Sequence, residues 1–548
     1  MQTSFPLRQT TPPSLAGAVR LVARLALVFA ELVAAPLPGA AAAPDGAGPD
    51  FEAIDRYVEA QRRAQRVPGM ALAVVQDGEV VHLRGFGAAG PSGHPVTPQT
   101  PFLIGSLTKS VTALAVMQLV EAGRLELDAP VQRYLPWFRV ADEDASARIT
   151  LRHLLYQTSG LPAGAGDAGI AAGDAGDGAL EREVRALRSV ALAGPVGATH
   201  RYSNANYVVL GLMVQTAAGQ SYEAYVRERI LRPLGMRRSY TSKAEARAHG
   251  LASGHRYWFG VPVASDLPYP RGVLPAGYLI ASAEDMARYL AFIQRGGQGG
   301  ERGEAAVLSP AGVAELVRPG AAAGGPEAFY AMGWGVVQDG DLRVIGHAGE
   351  TFDFRATMGF VPERGLGMVL LMNADTALGR GRLTGIADGV YDLLLGREPA
   401  GPAATAPATG LYVLLVGIVL VQGAGMGRSL VALRRWPARP ERRPRGRSGI
   451  GRHVALPLAT NLAWAALTLL LLPRLLGGSL ALMTLQLPDV AALLLVSGAV
   501  ALAWAALRTA LAVRALRRSG PRPLPPAAAA AGGRGRGPAW GSPAGVGR

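Results

Sequence analysis

Lys109 and Lys243 stand out because they are the only lysines among 55 Lys and Arg residues. A buried lysine can lose its proton and serve as a base, whereas arginine stays protonated in any protein environment. Ser106 lies three residues before Lys109, and positions i and i+3 share one face of a helix. The spacing predicts an activated serine nucleophile at a helix N-terminus, where backbone amides can stabilise an oxyanion. On this motif alone, a helix cap beside an exposed lysine fits equally well.

Two later patterns add groups that such chemistry needs. Tyr202-x-Asn204 offers a phenol and a carboxamide to one cleft, and a tyrosine near a lysine can ionise and act as a base. Taken alone, this pair fits a buried core tyrosine beside an N-capping asparagine better. His347-x-Gly349 lies at the end of a predicted strand, where a small residue and a glycine let a substrate backbone approach the sheet edge, although a lone strand-end histidine is usually structural. The three patterns in this order point to catalysis more strongly than any one of them.

The elements around these residues predict a mixed fold. Strands cluster at both ends of residues 44–396 and helices fill the middle, which indicates an α+β fold with an antiparallel sheet, flanking helices and an inserted, mostly helical subdomain. A glycine-rich segment, Ala163 to Gly178, is predicted to be a flexible surface loop. The predicted strands are Met70–Val75, Glu79–Arg84, Met332–Val337, Leu342–Ile345, Phe354–Val361 and Gly367–Met372. The predicted helices include Phe51–Gln65, one from Ser106 to about Glu121, and Ile386–Leu395.

The C-terminal part is predicted to be a membrane region. A Pro/Ala/Thr-rich linker at 397–410 precedes a region, 411–507, with about three transmembrane helices. Nine arginines lie between the first two helices and eight in the tail at 508–548, so the positive-inside rule makes both cytoplasmic. The predicted helices are 411–427, which is short and glycine-rich, 454–472 and 490–507. The alternative is a set of buried core helices in a soluble domain.

The N-terminus and the charge distribution agree with export. Residues 1–43 contain three arginines, an apolar stretch and a run of small residues, which is typical of a signal peptide or, if uncleaved, an N-terminal anchor. We therefore expect a multi-pass protein of the cell membrane with an extracytoplasmic domain and a cytoplasmic tail. The net charge of +15 lies mainly beyond residue 410, so a lipid bilayer is the expected partner and nucleic acid is not. With no cysteine and no metal or nucleotide motif, neither a metal nor a cofactor is expected.

The ordered patterns resemble those of the serine beta-lactamase and penicillin-binding-protein superfamily, in particular the branch with class C beta-lactamases, low-molecular-weight DD-peptidases, D-aminopeptidases and related esterases. The resemblance covers about residues 50–395. Besides the three motifs, it rests on FLIGSLTKSVTALAVMQLVEAGRLELDAPVQRYLP from Phe102, TLRHLLYQTSGLP from Thr150, YSNANYVVLG from Tyr202 and PAGYLIASAEDMARYL from Pro275.

This resemblance implies a role for each site residue. Ser106 would be the acylated nucleophile, Lys109 would lower its proton affinity, and Tyr202 would carry the proton to the leaving group. The substrate-binding residues would be Asn204, which holds the acyl-side amide, His347, which supplies hydrogen bonding or positive charge, and Gly349 and Glu350 beside them. The backbone amides of Ser106 and Glu350 would form the oxyanion hole.

Two departures from the family pattern bear on the substrate. Ala348 stands where relatives carry a hydroxyl that binds a substrate carboxylate, and Glu350 adds a negative side chain. The expected function is a membrane-anchored serine hydrolase acting on an amide or ester: a cell-wall peptide, a D-amino-acid amide, a beta-lactam or an ester. The two departures weigh against substrates with a free carboxylate. The alternatives are a sensor that is acylated slowly and a non-catalytic protein that binds penicillin or peptidoglycan.

Overall fold

A computed structural model describes residues 48–298, 307–325, 327–399, 408–436, 446–475 and 479–517. The predicted signal peptide or anchor at 1–43 and most of the predicted linker lie outside these residues. The chain divides into two compact units. The described residues up to 64 and 381–399 form the smaller one, and residues 65–380 with those from 408 onward form the larger one.

The strands and helices are numbered in chain order. The strands are β1 (Gly69–Gln76), β2 (Glu79–Gly87), β3 (Phe102–Leu103), β4 (Gly254–Trp258), β5 (Val261–Ser265), β6 (Ile280–Ala281), β7 (Ala321–Ala322), β8 (Ala328–Tyr330), β9 (Gly335–Asp339), β10 (Leu342–Glu350), β11 (Arg355–Val361), β12 (Leu366–Met372) and β13 (Ala374–Asp375). The helices are α1 (Phe51–Ala64), α2 (Thr108–Glu121), α3 (Glu143–Arg148), α4 (Leu151–Leu155), α5 (Asp167–Ala172), α6 (Ala179–Ala186), α7 (Asn204–Ala218), α8 (Tyr222–Val226), α9 (Lys243–Ala248), α10 (Leu274–Gly277), α11 (Ala283–Gln294), α12 (Pro310–Leu316), α13 (Arg380–Leu394), α14 (Thr409–Arg435), α15 (Gly446–Leu475), α16 (Leu480–Gln486) and α17 (Pro488–Arg517).

Eight strands form one antiparallel sheet in the order β2-β1-β12-β11-β10-β9-β8-β7. Its centre joins the two ends of the domain, since β1 pairs with β12 and Met70 lies opposite Met372. The prediction of an antiparallel sheet built from both ends, with helices between them, is therefore confirmed. The turn at Asp77-Gly78 joins β1 to β2, and both residues have positive φ angles, 53° and 80°.

The central helices explain where the core lies. Helix α2 is buried from Thr108 to Met117, and helix α7 is buried from Ala205 to Val214. A helix that is apolar on all sides packs in the interior rather than at the surface. These two helices and the inner strand β1 share one hydrophobic core, so the segments that carry the Ser-x-x-Lys and Tyr-x-Asn motifs are held rigidly.

One prediction about a single element is too short and another is wrong. Strand β10 runs on to Glu350 because its backbone stays paired with β11, so the strand is longer than the predicted Leu342–Ile345, and His347 and Gly349 lie at its end as expected. The glycine-rich segment is not merely a flexible loop. It contains α5, whose ends are set by Gly166 and Gly173 in the left-handed conformation, and Ile170 of this helix packs against the core.

Three C-terminal helices, α14, α15 and α17, are long and apolar enough to cross a membrane. They contain the three predicted stretches, and α14 is continuous over 27 residues despite its glycines. Exposed apolar side chains line them, for example Val413, Leu420 and Val421. The first ten residues of the predicted tail continue α17, and the rest of the tail lies outside the described residues.

Candidate active site

The turn that carries Ser106 is fixed by close backbone packing. Ser106 lies in a 3₁₀ turn, Gly105–Leu107, directly before α2. Gly105 has a φ angle of 54°, and a Cβ atom there would collide with the backbone of Gly349 and Glu350. Only glycine combines this backbone conformation with so close an approach. The Ser106 turn therefore lies directly against the end of β10, as an oxyanion hole made from the amides of Ser106 and Glu350 requires.

Gly349 is explained by the same packing. A Cβ atom on Gly349 would overlap the carbonyl oxygen of Ile104, which belongs to the segment leading into the Ser106 turn. The sequence suggested that this glycine makes room for a substrate backbone. In the structure it makes room for the protein's own backbone, so it supports the position of Ser106.

Lys109 is fully buried and lies one helical turn beyond Ser106. Its Nζ lies 2.9 Å from Ser106 Oγ, 2.8 Å from Asn204 Oδ1 and 2.5 Å from the carbonyl oxygen of Ala276. Burial lowers the pKa of Lys109 from its ordinary value to about 7, against the opposing charge of Asp167. A neutral amine has two N–H donors and one lone pair. In its protonated form Lys109 can donate to all three oxygens; in its neutral form it can donate to Asn204 Oδ1 and the Ala276 carbonyl and accept the hydroxyl proton of Ser106.

Tyr202 contacts the same hydroxyl from the other side. Its phenol donates to Ser106 Oγ at 2.8 Å, and Lys109 Nζ lies 4.8 Å from the centre of its ring. Burial, with Tyr330 and Glu350 nearby, raises the pKa of Tyr202 well above its ordinary value. The resting phenol is therefore protonated and placed to give a proton.

Gln157 holds the segment that carries Tyr202. Its backbone carbonyl accepts from Arg201 N at 2.7 Å and its side-chain carbonyl accepts from Ser203 N at 3.0 Å. Gln157 is buried and has a φ angle of 59°, which is uncommon for a residue with a side chain. Sequence reasoning missed this residue, and the only signal was its place in the TLRHLLYQTSGLP segment.

His347 is neutral in this site. Its Nδ1 lies 2.5 Å from the carbonyl oxygen of Ala348, which can only accept, so Nδ1 carries a proton, and its Nε2 lies 3.2 Å from Tyr330 Oη. Burial and the nearby Lys109 lower the pKa of His347 to about 4. Of the two expected roles, these contacts support hydrogen bonding, and the lowered pKa disfavours positive charge.

Glu350 belongs to a charge network that the sequence did not suggest. Its carboxylate pairs with Arg355 at 2.8 Å and Arg380 at 2.9 Å, and Arg355 also pairs with the buried Asp375 at 3.1 Å. Two guanidinium groups thus compensate the charge of Glu350. Repulsion by Glu350 is therefore a weaker argument against a substrate carboxylate than the sequence implied, although Ala348 still offers no hydroxyl.

A cavity of about 360 Å³ lies between several of the predicted site residues. Ser106, Tyr202, Asn204 and Glu350 line it, so the structure brings these site residues to one cleft, with Lys109 buried beside Ser106. The cleft also contains residues that sequence analysis missed: Asp167 and Ile170 of α5, Arg380, and Leu482 and Gln486 of α16. Asp167 and Ile170 belong to the glycine-rich segment, Arg380 begins α13, and Leu482 and Gln486 belong to the membrane region. The sequence has no catalytic motif at any of these places.

Asp167 is the most significant of these additions. Asn204 Nδ2 donates to Asp167 Oδ1 at 3.4 Å while Asn204 Oδ1 accepts from Lys109. Burial raises the pKa of Asp167 above its ordinary value. Asn204 thus connects the amine to a carboxyl group. Among the described residues, no group of three or more His, Asp or Glu side chains is arranged to hold a metal ion.

Comparisons with known proteins agree with this geometry. Penicillin-binding protein 4 of Amycolatopsis lactamdurans is 34% identical over 328 residues, which cover 58% of this chain and 84% of that protein. Protein flp of Staphylococcus aureus is 27% identical over 333 residues, 59% of this chain and 63% of that protein. The octameric penicillin-binding protein homologue from Pyrococcus abyssi matches with a TM-score of 0.56 and 29% identity over 64% of this chain and 79% of that one.

Another solved structure supports the fold alone. The D-amino acid amidase from Ochrobactrum anthropi is 24% identical, with a TM-score of 0.52 over 63% of this chain and 97% of that one. The beta-lactamase family model matches residues 54–391, more than half of the chain, and this stretch contains all seven expected site residues. The chain therefore belongs to the beta-lactamase family of serine hydrolase-type proteins, which includes penicillin-binding protein homologues.

Proposed function

We propose that the protein is a membrane-anchored, extracytoplasmic serine hydrolase that forms an acyl-enzyme on Ser106 from an amide or ester. The observation that carries the proposal is the position of Ser106 Oγ, between the buried amine of Lys109 at 2.9 Å and the phenol of Tyr202 at 2.8 Å. The amine of Lys109 is suited to take a proton, and the phenol of Tyr202 is suited to give one. This is the arrangement of an activated nucleophile.

Acylation follows from these positions. Ser106 Oγ bonds to the substrate carbonyl carbon while its proton moves to Lys109 Nζ. The carbonyl oxygen takes up the electron pair between the amides of Ser106 and Glu350. When the tetrahedral species collapses, the bond to the leaving nitrogen or oxygen breaks and Tyr202 gives that atom its proton. Lys109 then returns a proton to the tyrosinate, so both groups regain their resting states.

Deacylation reverses the proton path. Water attacks the acyl carbon and gives a proton to the pair formed by Lys109 and Tyr202. The bond between the acyl carbon and Ser106 Oγ then breaks, and Ser106 Oγ takes a proton from the same pair. Asp167 lies in the cleft near this path, where its charge favours the protonated form of Lys109. The products are a free carboxylic acid and the regenerated serine.

Labelling of membranes that contain the full-length protein tests the proposal. Wild type and Ser106→Ala are treated with a fluorescent penicillin and, separately, with a fluorophosphonate, and the loss of signal is followed over time. We expect labelling that depends on Ser106. Penicillin labelling that decays quickly indicates a lactam or cell-wall substrate, and fluorophosphonate labelling alone indicates an esterase or amidase. A stable penicillin adduct would favour a sensor, and labelling by neither reagent would favour a non-catalytic binding protein.

A further inference from the structure

Part of the cleft wall comes from the membrane region. Helix α16 lies between α15 and α17, and its first turn is capped by Ser479 Oγ, which accepts from Leu482 N at 3.2 Å. Leu482 and Gln486, one helical turn apart, line the same cavity as Ser106. A segment that connects two membrane-type helices is therefore part of the substrate cleft.

Side-chain contacts hold this segment on the catalytic part of the same compact unit. Arg256 Nη1 of β4 donates to the carbonyl oxygen of Thr484 in α16 at 2.9 Å. The backbone amide of Phe259 donates to Asp489 Oδ2 at 2.9 Å, and Asp489, at the start of α17, is only 1% exposed. A buried carboxylate that accepts a hydrogen bond is costly to separate from its donor. The contact between α16, α17 and the β4–β5 hairpin is thus a specific one.

The tip of the β4–β5 hairpin has the features of a membrane-surface contact. The tip residues Phe259 and Gly260 both have positive φ angles, 49° and 79°, and this backbone is uncommon for a phenylalanine. The Phe259 ring lies 5.1 Å from that of Tyr412, in the first turns of α14. Phe259, Val261 and Val263 are each 44–50% exposed, so the hairpin presents apolar side chains where the membrane helices begin. Aromatic residues are favoured at the interface of a bilayer.

A continuous apolar cluster joins the helix ends to the cleft. Met483, Val490 and Leu494 form its buried centre, and Leu378 packs against it. Leu378 lies two residues before Arg380, which lines the cleft. The ends of the membrane helices, the hairpin tip and the rim of the cleft are therefore parts of one surface.

We infer that the cleft opens at the bilayer surface and that its substrate is a membrane-held amphiphile, whose scissile amide or ester lies at the interface while its acyl chain stays in the bilayer. This inference rests on the proposed function and names the substrate class of the same site. The cavity of about 360 Å³ has room for a head group rather than a lipid. Leu482 and Gln486 contact that head group on the side nearest the bilayer.

The test compares two fluorophosphonates on the full-length protein in phosphatidylethanolamine/phosphatidylglycerol vesicles. One probe is short and soluble, and the other carries a diacylglycerol tail and is held at fixed surface density. The variants Phe259→Asn and Tyr412→Leu each remove one ring of the Phe259–Tyr412 contact. Asparagine tolerates a positive φ angle, so the turn is kept. Val337→Asn is the matched control. Val337 lies on β9 and, like Phe259, is an apolar surface residue, 47% exposed.

We expect each contact variant to lower the Ser106 labelling rate with the tailed probe about fivefold, which is the effect expected for the loss of one aromatic pair. The labelling rate with the soluble probe should stay at the wild-type value. The control should change neither rate. Equal rates of wild type and variants with the tailed probe would overturn the inference and leave the proposed function intact. A faster reaction of the variants with the soluble probe would also overturn it, because α16 would then be an obstructing lid. If neither probe labels wild-type Ser106, the proposed function fails and this inference fails with it.

Discussion

At the scale of single residues, the site depends on an amine that is kept in a buried environment. Lys109 is fully buried, and its Nζ has three polar neighbours within 3 Å. That set matches the donors and lone pair of a neutral amine. Arginine, which the chain uses almost everywhere else, is unable to serve as a proton acceptor there.

Lys109→Arg should lower the acylation rate of Ser106 about 1000-fold, because the guanidinium stays protonated. The measurement is the rate of fluorophosphonate labelling of the purified full-length protein. Thermal unfolding and the apolar variant Lys109→Met separate loss of chemistry from loss of folding. An active Lys109→Arg protein would show that Lys109 is not the proton acceptor.

The pH dependence of acylation should reflect the same amine. The reactive form is neutral and the pKa of Lys109 lies near 7, so the rate should fall as the pH drops through about 7. The charge of Asp167 raises this pKa, and Asp167→Asn should therefore move the acid limb of the pH–rate profile to lower pH. Asp174→Asn is the control, since Asp174 lies in the same glycine-rich segment as Asp167 but pairs with Arg182 of α6. A shift toward higher pH, or no shift, would contradict the assignment.

At the scale of elements, the Ser106 turn depends on a glycine that packs against β10. Gly105 and Gly123 both have positive φ angles, 54° and 67°, but only Gly105 has backbone atoms in the space of a Cβ. Gly105→Ala and Gly123→Ala should each destabilise the protein by about 1 kcal/mol through the backbone conformation, and Gly105→Ala should destabilise it further because its Cβ also meets backbone atoms of β10. Only Gly105→Ala should also lose Ser106 labelling. Thermal unfolding and labelling measured together check this, and full labelling of Gly105→Ala would argue against the proposed oxyanion hole.

The predicted and observed elements differ in where the sequence carries a clear pattern. Strands β1 and β12 were predicted nearly to the residue, because the apolar runs of inner strands are bounded by turn residues or glycine. Helices α5 and α16 were missed. The first lies in a glycine-rich segment without periodicity, and the second is a seven-residue helix in a mostly apolar stretch between two predicted membrane helices.

The candidate site was likewise predicted only where its residues fall in local sequence patterns. The candidate catalytic and binding residues fall in recognisable short patterns, and the structure places Ser106, Tyr202, Asn204 and Glu350 around one cleft. Gln157, Asp167 and Arg380 act through contacts made across long stretches of chain, for example from Arg380 to Glu350. No local pattern in the sequence encodes such contacts.

At the scale of the whole molecule, the proposed topology puts the catalytic part outside the cytoplasm and the arginine-rich segment between α14 and α15 inside. The chain contains no cysteine, so single cysteines report without background. Ser92→Cys in the catalytic part should react with a membrane-impermeant maleimide on intact cells. Arg447→Cys, near the start of α15, should react only after permeabilisation. Both residues are exposed, and the reverse pattern would contradict the topology.

We expect that Ser106 is acylated and that the acyl group is then released during turnover. Rapid-quench mass spectrometry of the full-length protein during hydrolysis of p-nitrophenyl acetate, with Ser106→Ala as the control, tests this expectation. We expect an acetyl group on the peptide that contains Ser106, lost at a rate that matches steady-state turnover, and no adduct or turnover in the variant. Turnover without an adduct on Ser106, or turnover that survives Ser106→Ala, would contradict it.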